Sequence, residues 1–158
     1  MTEELRGDLD AADLRVCVVR SLFNRPVTDG LLVGALALLD EVGADDVTVI
    51  DVEGAFEAPL VAQNMAQDGY DAVIVLGAVV EGETDHYEHI AHRASEGLMR
   101  VMLDTGVPVS FGILTVREPA HAFARSAPDE HNKGREAAEA AVRTASLLKR
   151  LRSSGVAE

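Results

Sequence analysis

The sequence predicts an α/β protein with three layers, in which helices cover both faces of a four-stranded parallel sheet. Four short apolar runs each lead through a turn into a longer segment whose apolar residues recur at helical spacing. Short connections between such units favour parallel strands joined by right-handed crossovers. The run at 71–80 is apolar on both faces, which is typical of a central strand in such a sheet.

Each strand is predicted from its own pattern. Arg15 to Val19 is a short β-branched run, and the run at 46–52 alternates valine and isoleucine with polar residues. The third strand, 71–80, ends in a turn that contains glycine, and the fourth is predicted at 107–114.

Helices are predicted between and after the strands, at residues 26–42, 59–67, 84–103, 120–125 and 132–151. Pro26 suits the first position of a helix, and Gly43 suits the residue that ends one. The first helix is apolar nearly all round, which predicts that part of it is covered by something outside its own domain. The simplest such cover is another copy of the chain.

The chain as a whole, residues 1–158, is predicted to form a single domain of the flavodoxin-like kind, without internal repeats or linkers. The acidic residues 1–13 are predicted to form an N-terminal arm, and 153–158 a fraying C-terminal tail.

Charge excludes two classes of partner. The net charge is −13, from 14 lysines and arginines against 27 aspartates and glutamates. Nucleic acid and anionic membranes both need a basic surface, so neither is expected to bind. No apolar run approaches the ~20 residues that span a bilayer. The lone Cys17 excludes an internal disulfide and, together with an N-terminus that lacks a signal segment, predicts a cytoplasmic protein.

Ligands of an open parallel sheet bind beyond the carboxyl ends of the strands. Four turns are predicted to converge there: Phe23-Asn24, Gly54 to Glu57, Ala78 to His86, and the segment after Phe111. The stretch from Gly77 to His89 is central, because a strand that turns into a helix presents backbone N–H groups to an anion.

Aromatic and acidic side chains in these turns each have two interpretations. Phe23 and Phe56 could stack on a flat heterocycle or simply cap the core. Glu57 could accept hydrogen bonds from a hydroxyl-rich ligand or remain a solvated carboxylate in the first turn of a helix.

The polar groups near the third helix have the same ambiguity. Thr84 could cap its helix or help to bind phosphate, and Arg125 and Lys133 could bind the phosphate or be surface residues. His86 is placed for proton transfer at the end of the third strand.

A metal site is not predicted. His86, His89 and His92 recur every three residues, a spacing that turns successive side chains by about 60° around a helix. The outer two histidines therefore diverge, and no cysteine completes a ligand set. The sequence also lacks the glycine spacing that dinucleotide and P-loop sites use.

Five stretches, taken in order, resemble the lumazine synthase family of riboflavin biosynthesis, from about Leu14 to Leu148. They are Phe23-Asn24; Gly54-Ala55-Phe56-Glu57-Ala58-Pro59; the strand from Tyr70 to Gly77; Gly82-Glu83-Thr84-Asp85-His86-Tyr87; and Phe111 to Thr115 with Asn132-Lys133-Gly134.

The resemblance implies condensation of 5-amino-6-(D-ribitylamino)uracil with 3,4-dihydroxy-2-butanone 4-phosphate, without a metal or organic cofactor. His86 would transfer protons. Phe23 would stack on the pyrimidine, Glu83, Thr84 and Arg125 would hold the phosphate end, and Lys133 would add a supporting charge. The remaining contacts would come from Ala55, Phe56 and Glu57 to the ribityl chain, and from Ala78, Val79, Val80 and Phe111 to the pyrimidine.

The family also implies a homo-oligomer, a pentamer and in many members an icosahedral shell, with active sites between neighbouring subunits. The chain departs from the family pattern at Glu81, where a basic residue is usual, and at Glu53, where proline is usual. Two alternatives stay open at this stage: a non-catalytic relative that binds flavin or lumazine or only forms a shell, and a flavodoxin-like binding module.

Overall fold

A four-stranded, all-parallel sheet forms the centre of the protein, as a computed structural model of the chain describes for residues 1–154. The strands are β1 (Arg15–Ser21), β2 (Asp46–Val52), β3 (Ala72–Val80) and β4 (Val109–Val116). Their order across the sheet is β2-β1-β3-β4, and every neighbouring pair is parallel. The predicted sheet is therefore confirmed.

Helices cover both faces of this sheet. They are α1 (Arg25–Glu41), α2 (Ala58–Gln67), α3 (His86–Thr105), α4 (Pro119–Ser126) and α5 (Lys133–Ser153). Side chains of α1, α4 and α5 share one buried cluster with the sheet, and those of α2 and α3 share a second. The three-layer, flavodoxin-like fold predicted from the sequence is thus confirmed.

Strand β3 explains why one chain can build two cores. Ile74 and Leu76 belong to the cluster beneath α1 and α5, whereas Val73 and Val75 belong to the cluster beneath α2 and α3. All four side chains are fully buried. Alternate residues of a strand point to opposite faces, so a strand between two helical layers must be apolar throughout.

The apolar helix α1 is mostly covered within its own chain. A Cβ on Gly34 would lie 2.1 Å from Oδ1 of Asn132, and a Cβ on Gly134 would lie 2.0 Å from the Leu31 carbonyl oxygen. These glycines bring α1 and α5 into close contact. Of the large apolar side chains on α1, only Val33 and Leu36 are exposed. The predicted cover by another copy therefore concerns only this exposed part of α1, and it stays a prediction.

The strand and helix bounds differ from the prediction by up to two residues, and β1 shows why. Arg20 and Ser21, which lie beyond the predicted end of the strand at Val19, continue it. The Arg20 side chain is only 7% exposed and pairs with Asp51 on β2, at 2.9 Å from Nε to Oδ1, and with Asp29 on α1. These two carboxylates compensate a buried charge that the local sequence pattern does not favour in a strand.

The N-terminal segment lies along α5 without forming a helix or strand. The Arg143 guanidinium donates to the Gly7 carbonyl at 3.0 Å, and the Asp8 N–H donates to Ser146 Oγ at 3.1 Å. Of the predicted C-terminal tail, residues 155–158 lie outside the described part of the chain. Within residues 1–154, no helix combines the length and apolar character that a membrane crossing requires.

Candidate active site

A cleft of about 770 Å³ opens beyond the carboxyl ends of β1, β2 and β3. It brings together most of the residues that the sequence singled out: Phe23, Ala55, Phe56, Glu57, Ala78, Val79, Val80, Thr84 and His86. Three of the four predicted turns therefore converge at one edge of the sheet, as the rule for parallel sheets requires.

The turn between β1 and α1 is tied to both of the other turns. Asn24 adopts a left-handed backbone conformation, φ 58°, which asparagine tolerates better than most residues. Its Nδ2 donates to the Ala78 carbonyl at 2.9 Å, and the Phe23 N–H donates to the Glu53 carbonyl at 3.1 Å. The backbone of this turn is thus fixed, while the Phe23 side chain remains 65% exposed at the cleft wall.

The turn between β2 and α2 forms the opposite wall. The Glu57 N–H donates to the Gly54 carbonyl at 3.3 Å. A Cβ on Gly54 would meet Glu57 Oε1 at 3.3 Å, so the carboxylate lies over the glycine. Ala55 is buried, whereas the Phe56 side chain is 57% exposed. This turn offers a flat apolar surface and an acceptor for hydroxyl groups side by side.

The start of α3 closes the cleft. The Thr84 hydroxyl accepts a hydrogen bond from the His86 N–H at 3.3 Å, and Asp85 is the N-cap residue, without a side-chain cap of its own. The helix therefore begins at His86, two residues after the predicted Thr84. A helix of 20 residues directs its positive dipole end and the N–H groups of its first turn at this edge.

Phe111, Arg125 and Lys133 do not line this cleft. They line a second one, of about 430 Å³, along β4 and α5. Phe111 is the third residue of the edge strand β4, where it pairs with Val75, because β4 begins at Val109 and continues to Val116. Of the segment after Phe111, only the residues that directly follow β4 approach the other turns, with Arg117 beside Glu81, so the expectation that Arg125 reaches the first cleft is wrong within one chain. Glu83 lines neither cleft.

The second cleft carries positive charge. Arg125, near the end of α4, donates from Nη1 to the His121 carbonyl at 3.1 Å and is otherwise exposed. Lys133, at the start of α5, pairs with Glu136 at 2.9 Å. Phe111, on the edge strand β4, is 47% exposed beside them. Both clefts are thus open surfaces, one aromatic and polar, the other aromatic and basic.

The two departures from the family pattern lie in different surroundings. Glu53 lines the first cleft, and its carbonyl oxygen holds the Phe23 N–H. Glu81 does not line it, although Val80 and Gly82 do. The Glu81 carboxylate instead lies 3.7 Å from Nε of Arg117.

Histidines of α3 separate as their spacing predicts. His86 lines the cleft, whereas His89 pairs with Asp85 at 3.2 Å. Among residues 1–154, no three side chains of the metal-binding types come together as a ligand set.

Sequence reasoning assigned no role to Tyr87 and Ile90, which also line the cleft. Helical spacing could have found Ile90, because residues four apart lie on the same side of a helix. It also assigned no role to Arg20. Hydrogen bonds from its guanidinium are the main cause that holds the pKa of Asp51 below its ordinary value.

Comparison with known proteins places the chain in one family. The sequence profile of the 6,7-dimethyl-8-ribityllumazine synthase family matches residues 13–149. A 6,7-dimethyl-8-ribityllumazine synthase from Salinibacter ruber is 49% identical over 154 residues, 96% of this chain and 99% of the relative.

Two further relatives also match nearly the whole chain. The 6,7-dimethyl-8-ribityllumazine synthase 1 of Caulobacter vibrioides is 47% identical, over 94% of this chain and 99% of its own length. The synthase of Thermococcus kodakarensis is 42% identical, over 94% of this chain and 95% of its own length. With a profile match over nearly the whole chain and such relatives at near full length, the chain belongs to the 6,7-dimethyl-8-ribityllumazine synthase family.

Proposed function

We propose that this protein condenses 5-amino-6-(D-ribitylamino)uracil with 3,4-dihydroxy-2-butanone 4-phosphate to give 6,7-dimethyl-8-ribityllumazine, phosphate and water, a step of riboflavin biosynthesis. Membership of the synthase family supports the reaction. The observation that carries the proposal is the cleft in which Phe23, Glu57, Thr84 and His86 meet, because its chemistry matches the two substrates.

The aromatic side of the cleft takes the pyrimidine and its ribityl chain. Phe23 stacks on the ring, which its exposed face and fixed backbone allow. Ala78, Val79 and Val80 contact the ring edge. The ribityl hydroxyls lie along Ala55, Phe56 and Glu57, where the carboxylate accepts their hydrogen bonds.

The start of α3 takes the phosphate end of the second substrate. Glu83 and Thr84 lie in the turn before the helix, whose dipole favours an anion. The amine attacks the ketone and water leaves to form an imine, phosphate is eliminated, and the second amine closes the ring on the carbonyl so formed with loss of a second water. Holding two reactive substrates together supplies much of the acceleration, and His86 moves the protons that imine formation requires.

Phe111, Arg125 and Lys133 complete the site from a neighbouring subunit. Within one chain they line a separate cleft, so they reach the substrates only if a second copy places its β4 and α5 against the first cleft. Phe111 then covers the pyrimidine, Arg125 binds the phosphate in a bidentate manner, and Lys133 adds positive charge. Such a head-to-tail contact closes into a ring. The proposed assembly is a homopentamer, which can build an icosahedral shell.

The proposed reaction uses no metal or organic cofactor, and the proposed location is the cytoplasm, where the buried Cys17 stays reduced. The partners are the two small substrates and further copies of the chain, not nucleic acid or a membrane. No observation favours the alternative of a non-catalytic relative that binds flavin or lumazine or only forms a shell.

A two-substrate assay tests the proposed function. Purified protein given both substrates should form lumazine, measured by its absorbance, and release phosphate in equal amounts. Native mass spectrometry of the same sample should give a multiple of five chains. Protein that is folded but forms no lumazine at any substrate concentration would exclude the proposed reaction.

A further inference from the structure

Carboxylates crowd the proposed phosphate end of the cleft. Glu81, Glu83, Asp85 and Glu88 all lie within or next to the turn that begins α3, in a chain whose net charge is −13. Each carboxylate repels a phosphate that approaches the helix start, so Glu83 could hold the phosphate only through its backbone N–H. Phosphate binding at the start of α3 therefore requires neighbouring positive charge that offsets these carboxylates.

The structure provides that charge for Glu81 from the next strand. Val80 and Val116 are register partners at the carboxyl ends of β3 and β4, and the Glu81 N–H donates to the Val116 carbonyl at 2.9 Å. Residues 81 and 117 therefore leave the sheet side by side. Their side chains meet, with Arg117 Nε 3.7 Å from Glu81 Oε2.

We propose that Arg117 is a positioning residue for the phosphate-bearing substrate, and that it acts by neutralising Glu81. The inference rests on the proposed function, because it concerns the same cleft. Arg117 itself lines neither cleft and contacts no substrate in this account. Its role is to keep the Glu81 carboxylate paired and so to reduce the negative potential at the start of α3.

Distance along the chain sets the size of the effect. Glu81 and Thr84 are three positions apart in the chain, and three residue steps span at most about 11 Å. Screening in physiological salt acts over a Debye length of about 8 Å. The repulsion that the Glu81 charge exerts on a phosphate near Thr84 is therefore reduced but not abolished. An unpaired carboxylate there should weaken phosphate binding by roughly two- to fivefold in this range of distances.

Stability should hardly respond to the same pair. The Arg117 side chain is 87% exposed and that of Glu81 46% exposed. Exposed ion pairs contribute little to folding, because solvent screens them and both side chains lose freedom. An effect on phosphate binding without an effect on stability is therefore what separates this role from a structural one.

Three variants test the inference: Arg117→Gln, Glu81→Gln and the double variant. The measurements are the KM for the phosphate-bearing substrate, kcat, and the dissociation constant of inorganic phosphate at low and high salt. Arg117→Gln should raise KM and the dissociation constant roughly two- to fivefold at low salt, with kcat unchanged, and less at high salt. Glu81→Gln should not raise either constant, and the double variant should return to within about twofold of wild type.

Arg93→Gln is the matched control, because Arg93 pairs with Glu96 at 2.9 Å on the exposed side of α3 and lines neither cleft. It should leave both constants unchanged. Arg117→Gln that behaves like this control, or a double variant as weak as Arg117→Gln alone, would overturn the inference.

Failure of the inference and failure of the proposed function give different results. If the wild-type protein is active and Arg117→Gln changes neither KM nor the dissociation constant of phosphate, only the inference about Arg117 is wrong. Wild-type protein that forms no lumazine sinks the proposed function, while the phosphate titrations still decide the role of Arg117. Wild-type protein that binds no inorganic phosphate at all contradicts the inference as well.

Discussion

The His86 side chain is exposed at the rim of the cleft and makes no hydrogen bond or ion pair with another side chain among residues 1–154. Only its backbone N–H is held, by the Thr84 hydroxyl at 3.3 Å. Such a residue can be changed with little effect on folding, so a loss of activity after its removal reports on chemistry.

His86→Ala should lower kcat by about 10²–10⁴-fold, the range expected when a proton-transfer group is removed, and leave the melting temperature nearly unchanged. The lumazine absorbance assay measures the first and thermal unfolding the second. His92→Ala is the control, because His92 is also exposed on α3 but lines neither cleft. Equal kcat values for both variants would remove His86 from the mechanism.

Arg20 shows a second property of single residues, a pH dependence of stability. Hydrogen bonds from its guanidinium hold the pKa of Asp51 below the ordinary value of 3.8. Above that value the pair contributes to stability in full. As pH falls from that value through the lowered pKa, the carboxylate is protonated, first in the unfolded chain and then in the folded protein, and this contribution is lost.

Asp51→Asn should therefore reduce the change in unfolding free energy between about pH 5 and pH 2. The difference from wild type should be no more than about 1 kcal/mol, since the Asp51 side chain is 42% exposed and solvent screens the pair. Urea unfolding at a series of pH values measures it. Asp45→Asn, which removes a carboxylate without an ion pair in the described structure, should keep the wild-type pH dependence. Identical slopes for Asp51→Asn and wild type would contradict the assignment.

Residues at the sheet edge were predictable where the chain itself enforces proximity. Phe23, Glu57 and His86 each follow a parallel strand, so they had to lie at the same edge. Phe111 was not predictable in this way. It lies inside β4, five residues before the carboxyl end of the strand at Val116, and its register partner is Val75.

At the scale of helices, the contact between α1 and α5 depends on residues without side chains. Gly134 lies against the Leu31 backbone, and Gly34 lies against Asn132, whose amide donates to the Gly30 carbonyl at 3.0 Å. A buried asparagine with each of its polar atoms bonded stabilises such a contact. Close helix packing therefore leaves no room for a methyl group at these glycines.

Gly134→Ala should destabilise the protein by roughly 2 kcal/mol and lower the melting temperature by about 4–8 °C. The added Cβ would lie 2.0 Å from the Leu31 carbonyl oxygen. The higher helix propensity of alanine offsets this clash by at most about 1 kcal/mol. Gly82→Ala is the matched control, because nothing lies within 4 Å of its added Cβ. Equal melting temperatures for the two variants would show that α1 and α5 can separate freely.

Periodicity predicted every helix and strand, because each is long enough to show its pattern. It did not predict the exact first and last residues of these elements. Arg20 extends β1 only because Asp51 and Asp29 lie beside it, and neither partner is visible from the local pattern. Helix α3 begins at His86 because the Thr84 hydroxyl accepts its N–H from outside the helix. Contacts made by distant residues decide where an element stops.

The whole molecule presents two separate clefts. The first holds Phe23 and His86, the second Phe111 and Arg125, and no element of one chain joins them. The sequence could predict both sets of residues but not their separation, because a linear pattern does not say which face of the sheet or which copy of the chain a side chain serves. The resemblance to the synthase family implies that a neighbouring subunit completes the site. The residues that this subunit would provide lie in its second cleft.

Subunit mixing tests this shared site most directly. His86→Ala and Arg125→Ala proteins should each be nearly inactive. Unfolded together and reassembled, they should regain activity, because in a random mixture about a quarter of head-to-tail contacts join two intact halves. The control is a mixture of wild type with the variant that carries both His86→Ala and Arg125→Ala. In that mixture an intact site forms only where two wild-type chains meet, so it shows what exchange of subunits alone does to activity. Recovery to roughly a quarter of wild-type activity is the expected result, and mixed oligomers without any recovery would contradict a site built from two subunits.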